Sequence, residues 1–212
     1  GHSIGEFAAA VIAGVMSLAD AARLVACRGA LLQAQPSGAM LSVRLPLADA
    51  LARAPADVFL AAENGPRACV FAGSHEAVAA WTTALEQSGV AARALVTSHA
   101  FHSPAMDAAV APFERLVQGV TLSAPRIPIV STATGAFLTD PQATDPAYWA
   151  TQLRKPVRFS QALLAALAAH EGAVLLEMGP RESLCTLARQ HAAPGRPAAV
   201  AIASLGDAPA SE

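Results

Sequence analysis

Five residues constrain the fold more than any others. Gly1-His2-Ser3-Ile4-Gly5 fits the pattern G-x-S-x-G, in which two glycines let the chain turn sharply out of a strand and into a helix, with the serine presented at the turn. A turn of that kind needs strands and helices in alternation, which points to an α/β protein. The start of the following helix offers free N–H groups and the positive end of the helix dipole to a developing negative charge. On this reading Ser3 is a nucleophile and the N–H of Ile4 an oxyanion donor. The same five residues also fit a plain helix start with flexible glycines, so the pattern needs partners elsewhere in the chain.

The rest of the chain supports a packed core. Of its 212 residues 54% are hydrophobic and 14% charged, too apolar a mixture for a disordered chain. The net charge is −2, from 14 basic and 16 acidic residues without a basic run, so nucleic acid is not an expected partner. The apolar runs are Ala-rich, short and broken by charges, as in core helices, and no membrane span is expected. Cys27, Cys69 and Cys185 are far apart and form no CxxC. They are expected to be reduced thiols of a cytoplasmic protein, neither disulfides nor zinc ligands. The chain has no initiating methionine and opens inside a motif, so it is expected to be a fragment of a longer polypeptide.

Periodicity divides the chain. Ile4–Ala13 reads as a helix ended by Gly14. Ser17-Leu18-Ala19-Asp20 has the form of a capping box with Asp in place of Glu, followed by a helix over Leu18–Ala34. From Ala39 to Val96 the pattern is strand (39–45), helix (47–53), two strands (58–63 and 68–72), helix (75–87) and strand (91–96). That order, βαββαβ, is that of a ferredoxin-like sub-domain. Beyond a loop at 97–102, Ser103-Pro104 reads as a helix cap with Pro at the first helical position. A short buried strand at 127–131, helices at 148–153 and 160–170, a strand at 173–177, a helix at 183–190 and a last strand within 197–205 complete the pattern. The residues from 191 to 212, rich in Ala, Pro and Gly, look like a domain exit.

A serine nucleophile needs a base within hydrogen-bond reach. Of the six histidines, His75, His170 and His191 fall at helix edges and are expected to be solvated. His99 and His102 fall in a loop after a strand, where catalytic groups commonly sit; a surface loop or half of a metal site are the other readings of that pair. No further His, Cys or carboxylate cluster completes such a site, and no metal is expected. Arg28 stands out because it shares the apolar stripe of its helix with Leu24, Leu31 and Leu32. A guanidinium there must be paired or carries a large desolvation cost. An internal salt bridge, for example to Glu177, snorkelling to solvent, or a bidentate clamp for a substrate carboxylate would each answer that demand.

Taken together, these residues resemble the malonyl-type acyltransferase domains of type I polyketide synthases. The likeness runs along the whole chain: GHSIGEFAAA at the start, RLVACRGALLQA around Arg28, GAMLSV at 38–43, AAENGPRACVFAGS at 61–74, SHAFHSPAM at 98–106, IPIVSTATG at 127–135, YWATQLRKPVRF at 148–159 and EMGP at 177–180. The resemblance implies an α/β-hydrolase-like core, residues 1–38 and 97–212, with the ferredoxin-like sub-domain inserted at 39–96. It implies Ser3 as nucleophile, His102 as its base, Ile4 in the oxyanion hole, Arg28 as the carboxylate clamp, and His99 and Phe101 beside the acyl group. In the family a main-chain carbonyl near Ser131-Thr132 commonly orients the histidine, and no triad carboxylate is expected. The partners implied are malonyl-CoA, an acyl carrier protein and neighbouring synthase domains, with no bound cofactor. The loop His99-Ala100-Phe101-His102 resembles the malonyl form rather than the methylmalonyl form Tyr-Ala-Ser-His. The family also carries a Gly-Gln-Gly element and a strand before the elbow, which this sequence lacks, so the fragment is expected to be inactive alone. An esterase would instead give His102 an Asp or Glu partner, and a docking remnant of a synthase would have lost Ser3 or His102.

Overall fold

The computed structural model describes residues 1–192 and 198–206. Helix α1 (Gly5–Ala13) ends at Gly14, whose φ of 79° is left-handed. Helix α2 (Leu18–Gln33) starts at Ser17, whose Oγ accepts the Asp20 N–H at 3.0 Å and donates to Asp20 Oδ2 at 2.7 Å. The aspartate is too short for the reciprocal bond of a full capping box and meets the serine hydroxyl instead. Ala21, Leu24, Arg28 and Leu32 form the buried face of α2.

Next comes an antiparallel sheet. Strand β1 (Ala39–Val43), helix α3 (Leu47–Arg53), strands β2 (Val58–Gly65) and β3 (Ala68–Gly73), helix α4 (His75–Gln87) and strand β4 (Ala92–Ala94) follow the expected order. Their sheet order is β2-β3-β1-β4. Alternation splits the side chains between two cores. Leu41, Val43 and Phe71 face α3 and α4, where Phe71 meets Trp81 edge-on at 4.9 Å. Met40, Val70 and Ala72 pack with Ala100 and Val157, so the second face of the sheet rests on the segments that build the site.

The remaining chain forms a 3-10 turn (Pro104–Met106) and helices α5 (Asp107–Gln118), α6 (Asp140–Ala143), α7 (Pro146–Thr151) and α8 (Phe159–Ala169). It ends in strand β5 (Val174–Glu177), helix α9 (Ser183–Arg189) and strand β6 (Val200–Ala203), with β5 and β6 parallel. The last strand expected from sequence is this β6; its expected start at Pro197 and the tail at 207–212 lie outside the described residues. Phe7 of α1 meets Phe113 of α5 at 6.1 Å and Trp149 of α7 at 5.4 Å, which centres the main core. Pro112 sits inside α5, yet Ala109, Phe113 and Val117 at i, i+4 and i+8 bury one face and carry the helix through it.

Two expectations fail. Residues 127–131 form no strand: Pro128 lacks a donor, and a turn closes instead through Leu138 N–H to the Ile129 carbonyl (2.8 Å) and Ser131 N–H to the Ala136 carbonyl (2.9 Å). His191 is buried rather than solvated, its ring bonded to Ser160 Oγ at 2.8 Å and the Leu187 carbonyl at 2.9 Å.

Gly38 joins the sheet to the His102 loop at close quarters. A Cβ there would lie 2.8 Å from Ala100 Cβ and 2.8 Å from the Gly73 carbonyl oxygen. Gly38→Ala is expected to destabilise the protein by about 1–3 kcal/mol through overpacking. Urea unfolding of the intact protein should show a lower midpoint at an unchanged slope; an unchanged midpoint would contradict the close approach.

Candidate active site

Ser3 lies on the turn into α1, half-buried, one residue before the helix N-cap Ile4. The turn spends the N–H groups of Gly5, Glu6 and Phe7 on the carbonyls of His2, Ser3 and Ile4, at 2.9, 3.0 and 3.1 Å. The Ile4 N–H takes no part in these bonds. Of the two elbow glycines, Gly1 is the sterically required one: a Cβ there would fall 2.3 Å from the Gly5 carbonyl carbon, whereas a Cβ on Gly5 meets nothing within 4 Å.

Ser3 Oγ and His102 Nε2 are 2.7 Å apart, across 99 positions of sequence. The other ring nitrogen, Nδ1, is 2.9 Å from the Lys155 carbonyl. That carbonyl accepts only from an Nδ1 proton, so Nε2 is left unprotonated and faces the Ser3 hydroxyl as an acceptor. The orienting carbonyl therefore belongs to the LRKPVRF block and not to the Ser131–Thr132 region expected from the resemblance. Ser3 (φ 50°) and His102 (φ 58°) both hold left-handed backbone, which costs about 1–3 kcal/mol for a side-chain-bearing residue and gathers at functional sites. Burial, with Arg28 and His2 adding positive charge nearby, pushes the His102 pKa down to about 4.

Arg28 reaches the same place from α2. Its Nη2 is 3.4 Å from Ser3 Oγ, its Nε is buried without a hydrogen-bond partner, and burial lowers its pKa. Among the described residues it forms no salt bridge. Glu177 is occupied elsewhere, accepting the Leu184 and Cys185 N–H groups at the start of α9 (3.1 and 2.8 Å). At 9% exposure Arg28 does not snorkel to solvent either.

The other expected residues lie close by in the chain but differ in availability. His99 is buried with both ring nitrogens engaged, Nδ1 by Ser98 Oγ (2.7 Å) and Nε2 by the Gln35 carbonyl (3.1 Å). Phe101 packs against the main core and the sheet core, its ring 5.7 Å from that of His99. Among the described residues no three His, Cys, Asp or Glu side chains converge as a metal site would require, and no helix is long and apolar enough to cross a membrane.

Several participants gave no signal in the sequence reading. His2 bonds Asn64 Oδ1 at 2.8 Å and lies 5.5 Å from the Phe159 ring, tying the elbow to β2 and α8. Burial lowers its pKa. Glu6, 1% exposed, accepts from Thr132 N–H and Oγ1, Tyr148 Oη and Gln152 Nε2. Gln152, Thr132 and Lys155 line the Ser3–His102 cleft. A larger cleft of about 640 Å³, with Arg44, Arg67 and Gln190 among its lining residues, shares none of them with Ser3 and holds no nucleophile–base pair.

The acyl transferase domain family matches residues 1–203. The chain belongs to that family. Mycoketide-CoA synthase of Mycobacterium tuberculosis is 42% identical over 185 residues, 87% of this chain and 4% of that protein. Polyketide synthase GfsB of Streptomyces halstedii is 41% identical over 192 residues, 88% of this chain and 3% of that protein. The chain thus spans a small part of the curated relatives it matches. Among solved structures, the acyl transferase domain of SpnD, in complex with 2-(pent-4-yn-1-yl)malonyl, superposes with a TM-score of 0.92 at 36% identity, covering 100% of this chain and 51% of that one. The acyl-carrier-protein S-malonyltransferase of Bartonella henselae superposes at 0.85 with 27% identity, covering 96% and 66%. The acyl transferase fold of polyketide synthases is therefore the α/β fold of this chain.

The depressed basicity of His102 makes a pH prediction. A base must be neutral to accept a proton, so reactivity is lost as pH falls through its pKa. Phosphonylation of Ser3 by a fluorophosphonate should hold its rate from pH 8 down to about 5.5, where an ordinary imidazole would be roughly nine-tenths protonated. It should then fall as the pH approaches 4. A midpoint near 6.5 would mean that His102 is solvated or is not the base.

Proposed function

We propose that this chain carries the chemistry of a malonyl-CoA:acyl-carrier-protein transacylase of polyketide biosynthesis. The observation that carries the reading is a buried guanidinium without an anion, set beside a serine–histidine pair. An unpaired buried cation is costly, and a substrate that brings its own carboxylate supplies the missing partner.

The free carboxylate of malonyl-CoA pairs with Arg28, which places the thioester carbonyl at Ser3. His102 Nε2 takes the Ser3 proton while Oγ bonds to the carbonyl carbon, and the oxyanion turns toward the Ile4 N–H. The carbon–sulfur bond breaks, His102 returns the proton to the coenzyme A sulfur, and a malonyl-serine ester remains. The phosphopantetheine thiol of a carrier protein then gives its proton to His102 and attacks the ester carbonyl; the carbon–oxygen bond to Ser3 breaks, and His102 returns that proton to Ser3 Oγ. Donor and acceptor use one site in turn, so the kinetics are ping-pong. The neighbouring domains of a synthase are the natural source of that carrier. The scaffold is read as an α/β-hydrolase-like core, 1–38 and 97 onward, interrupted at 39–96 by a ferredoxin-like sub-domain. The order βαββαβ and the antiparallel order β2-β3-β1-β4 support that division.

An esterase reading is less well supported, because His102 leans on a backbone carbonyl and an esterase has no use for Arg28. A non-catalytic remnant would not keep Ser3 and His102 at 2.7 Å. Phe101 lies one residue before the base; His99, its nitrogens already occupied, acts by fixing the Phe101 ring.

Arg28→Ala in the intact domain should lower kcat/KM for malonyl-CoA by about a hundredfold, as expected when one partner of a buried ion pair is removed. Acetyl-CoA, which lacks the carboxylate, should lose far less; equal losses would assign Arg28 a structural role. In competition, malonyl-CoA should be preferred over methylmalonyl-CoA by a finite factor, since excluding one methyl is worth about 1–3 kcal/mol. Phe101→Ser should erode that preference, and an unchanged ratio would remove Phe101 from the acyl pocket.

A further inference from the structure

Glu6 has no part in the chemistry above, yet its carboxyl group is among the most buried polar groups of the described chain, at 1% exposure. Among the described residues it forms no salt bridge, and four donors converge on it. Oε1 accepts from the Thr132 N–H and Oγ1, and Oε2 from Tyr148 Oη at 3.0 Å and from Gln152 Nε2. Burial and the nearby Glu6 raise the Tyr148 pKa well above the usual phenol range, so this group stays a donor. Its single proton goes to Glu6, and its oxygen accepts from the Ser131 hydroxyl, 2.6 Å away.

The backbone at each end of this network explains where it leads. The Glu6 N–H bonds the Ser3 carbonyl at 3.0 Å, so Glu6 belongs to the turn that presents the nucleophile. Gln152 lies three residues before Lys155 in the chain. On the other side, the Thr132 carbonyl accepts the Arg158 N–H at 2.6 Å, three residues after Lys155. Glu6 therefore holds both ends of the segment 152–158, one through Gln152 and the other through Thr132. The middle of that segment is the carbonyl that orients His102.

We infer that Glu6 is a positioning residue, which sets the Ser3 turn against the segment carrying the Lys155 carbonyl and so fixes the approach of His102 to Ser3. It touches neither substrate nor reacting atoms. Replacing one acceptor oxygen by an amide turns a donor toward a donor inside the network, and the pair it registers is displaced. Misplacing reacting groups by about 1 Å costs on the order of a hundredfold in rate. Substrate capture by Arg28 approaches from another helix and is untouched.

This inference rests on the Ser3–His102 reading, and single-turnover malonyl loading of the intact domain tests it separately. Glu6→Gln should lower the saturating loading rate by about a hundredfold while half-saturation by malonyl-CoA moves less than about twofold. Gln152→Met keeps the shape, removes one donor and should lower the rate about tenfold, again without a change in half-saturation; it carries the test if Glu6→Gln fails to fold. The double variant Glu6→Gln/Gln152→Glu restores an amide facing a carboxylate and should recover about tenfold over Glu6→Gln. A near wild-type rate for the folded single variants, a half-saturation that rises in step with the loss, or no recovery in the double variant would overturn the role of Glu6. Loading by Ser3→Ala would instead overturn the underlying reading; failure of the Glu6 variants with loading still dependent on Ser3 and His102 overturns this inference alone.

Discussion

The bond between His102 Nδ1 and the Lys155 carbonyl is the contact on which the site depends. The 2.9 Å separation selects the tautomer whose Nε2 lacks a proton and aims it at Ser3. A backbone carbonyl can do this only if its own segment is immobile, because it has no side-chain rotamer to adjust. The segment is held on three sides. Val157 N–H bonds the Ala61 carbonyl at 2.9 Å, and its own carbonyl accepts from Glu63 N–H at 2.8 Å, which fastens the segment to β2. Arg158 N–H is held by Thr132, and Gln152 by Glu6. Much of the packing in both parts of the protein thus bears on one oxygen atom.

Two buried charged-residue side chains lie near Ser3, and the structure treats them differently. Glu6 is enclosed by four donors from three residues distant in sequence, so its hydrogen-bonding capacity is used up inside the protein. Arg28 keeps a buried Nε without any partner. Had the two met, the cation would have been neutralised and the site would have held an internal salt bridge. Their separation leaves the guanidinium available to an incoming anion. Burial on the face it shares with Leu24 and Leu32 imposes a desolvation cost on Arg28 that no salt bridge among the described residues offsets.

The sequence made the chemistry legible where residue type alone carried the argument. A serine between glycines, a histidine after a strand and an arginine on an apolar stripe can be found by pattern, and the structure brings all three together. Helix α2 was legible for the same reason: a capping serine and a 3.6-residue period are local. The network behind the site was not. Glu6 falls in the first turn of a helix, where an acidic residue is ordinarily a dipole partner at the surface, and nothing local says that Thr132, Tyr148 and Gln152 will enclose it. The Lys155 carbonyl is a backbone atom, and the sequence does not distinguish one backbone oxygen from another. At 127–131 an apolar run suggested a strand, but Pro128 removes a donor and Ser131 gathers the next turn around its hydroxyl, accepting from the Ala133 and Thr134 N–H groups at 3.1 and 3.2 Å. His191 was misread because the contact that buries it comes from Ser160, 31 residues away.

A base whose pKa is about 4 is weak for drawing a proton from an alcohol, and the proposed substrate answers that weakness in two ways. The first is the leaving group. A thiol near 8.5 departs far more readily than an alcohol or amine, so a thioester asks less of the proton returned by His102 than an ester or amide would. The second is electrostatic. Burial is the main cause of the depressed basicity of His102, and the charge of Arg28 adds to it. A carboxylate bound to Arg28 would cancel that second contribution and raise the basicity of His102. Without a carboxylate on Arg28, the same guanidinium disfavours the imidazolium that forms when Ser3 is deprotonated. An acyl thioester without a carboxylate leaves this penalty standing, so on the proposed function Arg28 would discriminate at the chemical step as well as in binding. A single buried charge then acts on both affinity and rate, which requires that no residue of the protein neutralise it.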